Sequence, residues 1–144
     1  MTGINLSEKI YIKEIESNPD LLPELDEFIL NIAKEAGLDS DQTNSLSISF
    51  SEAASNSILH GNKCDPNKKV RIKVEIDSNN LIITIKDEGK GFDMASVPDP
   101  TKPENILKDS GRGIHIMKSY LNDLRYNFTV DGTETILTIK LNKQ

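Results

Sequence analysis

The chain has 144 residues, a formal net charge of −6, 36% hydrophobic and 28% charged residues, and one cysteine. That length suits one domain over residues 1–144 with a real core, and the composition is ordinary for a globular protein. The acidic balance, with no basic cluster denser than Lys68-Lys69-Val70-Arg71, speaks against direct binding of DNA or RNA, and no apolar run approaches the roughly 20 residues that cross a bilayer.

The N-terminal Met1-Thr-Gly-Ile-Asn-Leu-Ser-Glu lacks the basic start and apolar block of a signal peptide. Cys64 has no partner for an internal disulfide, so the expectation is a cytoplasmic protein. Residues 6–16 partly alternate and read as a first strand. After Asn18-Pro19-Asp20, the apolar positions Leu21, Leu22, Leu25, Phe28, Ile29, Ile32 and Ala33 recur at helical spacing to Ala36, and Gly37 is a stop. A second helix is predicted from about Ser40 to His60, ended by Gly61-Asn62.

Val70, Ile72, Val74 and Ile76 alternate with charged residues, which predicts a strand. Ser78-Asn79-Asn80 turns the chain, and Leu81 to Asp87 returns as its hairpin partner. Residues 88–110 read as a long loop, of the kind that is usually a functional lid or a mobile segment. Gly111 to Asn122 restarts as a helix. Leu124, Tyr126, Phe128 and Val130 alternate as a strand, Asp131-Gly132 is a hairpin signal, and Thr135, Leu137, Ile139 and Leu141 alternate in the last strand. The order β-α-α-β-β-loop-α-β-β predicts a two-layer α/β sandwich, with a mixed five-stranded sheet covered on one face by three helices.

Chemistry concentrates in three places. Glu52 and Asn56 sit one helical turn apart on a shared polar side, where both can reach one ion or phosphate; alone, such a pair is usually a solvated helix face. Asp87 shares strand parity with Leu81, Ile83 and Ile85, which aims it at the helix-covered face, where a carboxylate needs donors. If the strand instead ends at Lys86, Asp87 merely begins a turn. Gly89 and Gly91 then let backbone approach a flat base or a phosphate closely. Finally, Gly111-Arg112-Gly113 opens a helix, whose free N–H groups and positive dipole end suit an anion.

In order, a Glu-x-x-x-Asn helix, an Asp-x-Gly-x-Gly strand exit, a lid-length loop and a Gly-x-Gly helix start resemble the N, G1 and G2 boxes of the GHKL ATPase superfamily. The match covers roughly residues 40–142. Glu52-Ala-Ala-Ser-Asn-Ser-Ile-Leu-His-Gly61, Gly89-Lys-Gly-Phe-Asp93 and Gly111-Arg-Gly-Ile-His-Ile-Met117 are most similar to the branch of anti-sigma factor serine kinases.

The resemblance implies a Bergerat-type ATP-binding fold with ATP and Mg²⁺ as ligands. Asn56 would hold Mg²⁺, and Asp87 would accept the adenine amino hydrogen, with Gly89 and Gly91 shaping the base pocket. Gly111, Arg112 and Gly113 would line the phosphates beneath a lid at residues 93–110. Thr133 would belong to the family's last nucleotide-side element, and Glu52 would be the general base. The implied partners are a sigma factor and a serine-bearing antagonist protein, with a homodimer as in relatives that dimerise. One departure is Leu59, where many relatives carry Lys or Arg. It leaves open a second reading, a non-catalytic ATP-dependent binding switch. His60 reads as a helix-end residue, His115 as a packing or solvent-facing one, and Cys64 as an inert loop thiol.

Overall fold

The computed structural model describes residues 9–89 and 123–141. Strand β1 spans Lys9–Glu16, helix α1 Leu22–Glu35, helix α2 Ser40–Asn56, β2 Lys69–Ile76, β3 Asn80–Asp87, β4 Asp123–Thr129 and β5 Gly132–Lys140. Each helix is delimited by its own caps. The Asn18 side chain accepts from the Asp20 N–H at 2.9 Å and opens a 3₁₀ turn, Pro19–Leu21, that leads into α1. Helix α1 closes where Gly37 turns left-handed at φ +75°, letting the Leu38 N–H reach back to the Ala33 carbonyl at 3.1 Å. Asp39 then caps α2, its Oδ1 accepting from the Gln42 N–H at 2.8 Å.

The strands form one sheet in the order β1-β2-β3-β5-β4, with every neighbouring pair antiparallel. This corrects the expectation of a mixed sheet. Strand β4 does run in the same direction as β3, but β5 folds back between them, so the two parallel strands never pair. The described residues contain two α-helices rather than three; the third expected helix falls on residues 111–122, outside the described residues.

The core lies between α1, α2 and one face of the sheet. Leu25, Ile29, Leu46, Phe50 and Ile58 meet Val70, Ile72, Val74, Leu81, Ile83, Ile85 and Leu137, all fully buried. Burying each such side chain is worth about 1.5–3 kcal/mol, so the strand alternation and helical stripe together decide which face of each element turns inward. Between the helices, the Ser51 hydroxyl donates to Asp26 Oδ1 at 2.7 Å. Among the described residues no helix is long and apolar enough to cross a membrane.

This arrangement gathers chemistry at one end of the sheet. The C-terminal end of β3, the N-terminal ends of β2 and β5, and the last turn leading out of α2 all meet there.

Candidate functional site

Strand β3 continues through Asp87, which pairs with Thr133 of β5. Strand alternation therefore decides the direction of the carboxylate: with Leu81, Ile83 and Ile85 inward, Asp87 is inward too, and its exposure is 0%. The reading in which the strand stops at Lys86 is excluded. Thr133, on the neighbouring strand, is equally buried.

Asp87 Oδ1 accepts from the Gly89 N–H at 3.0 Å. Among the described residues, Asp87 Oδ2 and the Thr133 hydroxyl have no hydrogen-bond partner. Leaving a buried polar atom unmatched costs about 1–3 kcal/mol, more for a charge, so two adjacent ones mark a place built for something else to complete. Burial pushes the Asp87 carboxyl above its ordinary pKa of 3.8, against the opposing pull of the Gly89 and Thr133 backbone amides and the Lys68 charge.

The opposite wall comes from the end of α2. After Asn56 the helix widens into a π turn over Ser57–Gly61, closed by the Asn62 N–H donating to the Ser57 carbonyl at 2.8 Å. The widened turn lays Gly61 directly on the Asp87 carboxylate. A Cβ at Gly61 would overlap Asp87 Oδ2, and one at Gly89 would overlap the Gly61 carbonyl oxygen. Two backbones thus approach as closely as glycine allows, and the carboxylate is held between them. Gly61→Ala is expected to fold but to lose about 1–3 kcal/mol in a urea titration, because the added methyl must push Asp87 aside.

Glu52 and Asn56 lie on α2, half-buried and one turn apart, on the same helix that delivers Gly61 to Asp87. Among the described residues neither side chain makes a hydrogen bond. The structure therefore brings Asp87, Gly89 and Thr133 together and sets Glu52 and Asn56 on the helix beside them. Gly91, Gly111, Arg112, Gly113 and the expected lid at 93–110 lie outside the described residues. Leu59 and His60 are exposed at the end of the same helix.

Sequence reasoning read Gly61 as the end of the Glu52–Gly61 motif and, with Asn62, as a helix stop, and assigned neither to the surroundings of Asp87. Their role depends on a contact with residues 26 to 28 positions away, for which local pattern carries no signal.

Comparison with known proteins points the same way. Residues 15–139 match the model of the histidine kinase-like ATPase domain. The chain is 32% identical over 107 residues to an anti-sigma F factor of Clostridium perfringens, covering 71% of this chain and 75% of that protein. It is 35% identical over 108 residues to an anti-sigma F factor of Bacillus velezensis, covering 72% and 70%. Its fold is similar to the crystal structure of the RsbU and RsbW domains of Rv1364c from Mycobacterium tuberculosis, with a TM-score of 0.70 at 14% identity over 94% of this chain. It spans 33% of the length of that structure. A histidine kinase domain from Erythrobacter litoralis is also similar, with a TM-score of 0.56 at 17% identity, over 88% of this chain and 62% of that one.

Proposed function

The chain belongs to the histidine kinase-like ATPase domain family, and on that premise we propose that it is an ATP-binding anti-sigma factor with serine-kinase activity. The observation that carries the reading is the fully buried Asp87 carboxylate, whose Oδ2 has no donor among the described residues and lies against Gly61. An adenine amino group is a donor of the right kind. It would satisfy Oδ2, while the neighbouring Thr133 hydroxyl, which has no partner among the described residues, would offer its hydrogen to a ring nitrogen. The Gly89 backbone, already bound to Oδ1, would hold the carboxylate in place for that contact.

When bound, ATP with Mg²⁺ supplies the γ-phosphoryl group and neutralises charge developing on it. Asn56 offers a hard amide oxygen, the type of ligand Mg²⁺ prefers alongside phosphate oxygens. Glu52, one turn earlier, takes the proton from a serine hydroxyl on the partner protein; that oxygen bonds to phosphorus as the bond to ADP breaks. We place Gly91 beside the base, Gly111, Arg112 and Gly113 at the phosphates, and a lid over residues 93–110. Residues 1–144 are read as one such domain. The proposed partners are a sigma factor and a serine-bearing antagonist of it, with two copies of this chain in the complex. The proposed location is the cytoplasm.

A titration with ATP, with and without Mg²⁺, tests the ligand assignment. Wild type is expected to bind more tightly with Mg²⁺ than in EDTA. Asn56→Ala is expected to lose most of that difference, about tenfold or more, while keeping its affinity in EDTA. Equal Mg²⁺ dependence in the variant would remove Asn56 from the metal site.

A further inference from the structure

We propose that Asn62 is a positioning residue for the base pocket, setting the backbone of the Asp87–Gly89 exit through a three-way bridge; this rests on the ATP reading above. Asn62 is 1% exposed, and its amide is almost fully used. Its Nδ2 donates to Ser17 Oγ at 2.7 Å and to the Lys69 carbonyl at 3.0 Å, while its Oδ1 accepts from the Glu88 N–H at 2.8 Å. These partners fix the orientation of the amide: a carbonyl can only accept and a peptide N–H can only donate. One side chain thus ties the residue after β1, the start of β2 and the exit of β3 to the end of the α2 π turn.

Two further contacts make the bridge rigid. Ser17 Oγ passes its own hydrogen to the Lys68 carbonyl at 2.6 Å. The Glu88 side chain accepts from the Lys69 N–H, so residues 68, 69 and 88 are locked from both sides.

The backbone around Asn62 bends to permit this. Lys63 and Cys64 follow it at φ +53° and +57°, a left-handed conformation that side-chain-bearing residues rarely adopt. The Cys64 N–H reaches the Ile58 carbonyl at 2.8 Å, and the Asp65 N–H the Asn62 carbonyl at 3.0 Å, holding the bend.

The contact that matters for the ligand is the one to Glu88. Its N–H belongs to the peptide that joins Asp87 to Glu88, so fixing it fixes the backbone from which the Asp87 carboxylate projects. It also fixes the approach of Gly89, whose N–H holds Oδ1. Gly61, which packs on that carboxylate, is the residue immediately before Asn62. Asn62 therefore controls both walls of the carboxylate without touching the base itself.

The test compares affinities for ADP and for inorganic tripolyphosphate, with thermal midpoints, in the full chain. In Asn62→Ala, ADP affinity is expected to fall about tenfold, the worth of one hydrogen bond to a buried group, while tripolyphosphate affinity is unchanged. Asn62→Asp keeps an acceptor for the Glu88 N–H and is expected to retain ADP affinity within about twofold despite a lower midpoint. Ser17→Ala removes one arm of the bridge and leaves those to Lys69 and Glu88, so it is expected to lower the midpoint and to reduce ADP affinity by less than about threefold. Should Asn62→Ala not fold, Asn62→Ser, too short to bridge, is read by the same two affinities. Equal losses of ADP and tripolyphosphate affinity, or an ADP loss in Ser17→Ala as large as in Asn62→Ala, would reduce Asn62 to a structural residue. Failure of wild type to bind ADP at millimolar concentration would instead overturn the ATP reading, and the proposal with it.

Discussion

Asp87→Asn is expected to abolish the thermal stabilisation that ADP or ATP with Mg²⁺ gives the wild-type protein. At about 100 times Kd, a ligand that binds only the folded state adds about 2.7 kcal/mol, or roughly 5–10 °C for a domain of this size. The substitution preserves shape and the contact with the Gly89 N–H, since the amide oxygen can still accept it. It places an N–H₂ group where Oδ2 stood, opposite the adenine amino group. Two donors then face each other in a buried site, and a missing charge-assisted bond plus an unpaired group cost about 3 kcal/mol, more than a hundredfold in affinity.

The apoprotein should respond in the opposite sense, and the sign follows from burial. Asp87 is driven above its ordinary pKa in the folded state, so the stability linked to it is fully present below pH 3.8 and is lost as pH rises through the folded-state value. Once the pH passes the folded-state value, the wild-type apoprotein carries a buried charge that Asp87→Asn lacks. Urea titrations between pH 4 and 7 are expected to show the variant gaining on wild type as pH increases. A variant that loses nucleotide binding while remaining as stable as wild type would identify Asp87 as a ligand group rather than a scaffold residue. A thermal shift surviving in Asp87→Asn would place the base elsewhere.

Glu52→Gln carries the other large effect. The proposed base is expected to contribute about 10²–10⁴ to phosphotransfer, and its amide replacement cannot accept a proton. Transfer from γ-labelled ATP to a serine on an antagonist protein should fall by that factor, with ADP affinity changed no more than about threefold. The two variants then separate binding from chemistry: Asp87→Asn loses both, and Glu52→Gln loses only the second. Transfer within a few-fold of wild type would remove Glu52 as the base. Wild type that binds ATP with no transfer to any such partner would favour the binding switch, the reading that Leu59 left open.

The elements of the fold were legible because their signals are local. Val70, Ile72, Val74 and Ile76 alternate along the eight-residue strand Lys69–Ile76, and burial of one face is the only way to satisfy them. Gly37 ended α1 and Asp39 began α2 through contacts within a few residues. The sheet order was not legible. Leu124, Tyr126, Phe128 and Val130 alternate as clearly as Thr135, Leu137, Ile139 and Leu141, so alternation alone does not say that β5 rather than β4 lies against β3. In β5, Leu137 and Ile139 are buried and belong at the centre; in β4, Phe128 is 48% exposed and suits the edge.

The sequence by itself named the candidates for the site: a Glu–Asn pair on one helix, an aspartate at a strand end and glycines around it, all within the residues 15–139 that the family model matches. Parity even determined the direction in which Asp87 points, provided the strand reached it. Only the tertiary structure decided that it does, that Thr133 is its buried neighbour, that Gly61 lies on its carboxylate and that Asn62 accepts from the Glu88 N–H. The physical reason is range. Periodicity, capping and turn chemistry act over a few residues and are written in neighbours, whereas the closeness of Gly61 to Asp87 arises when a widened helical turn packs onto a sheet end formed by three separate segments.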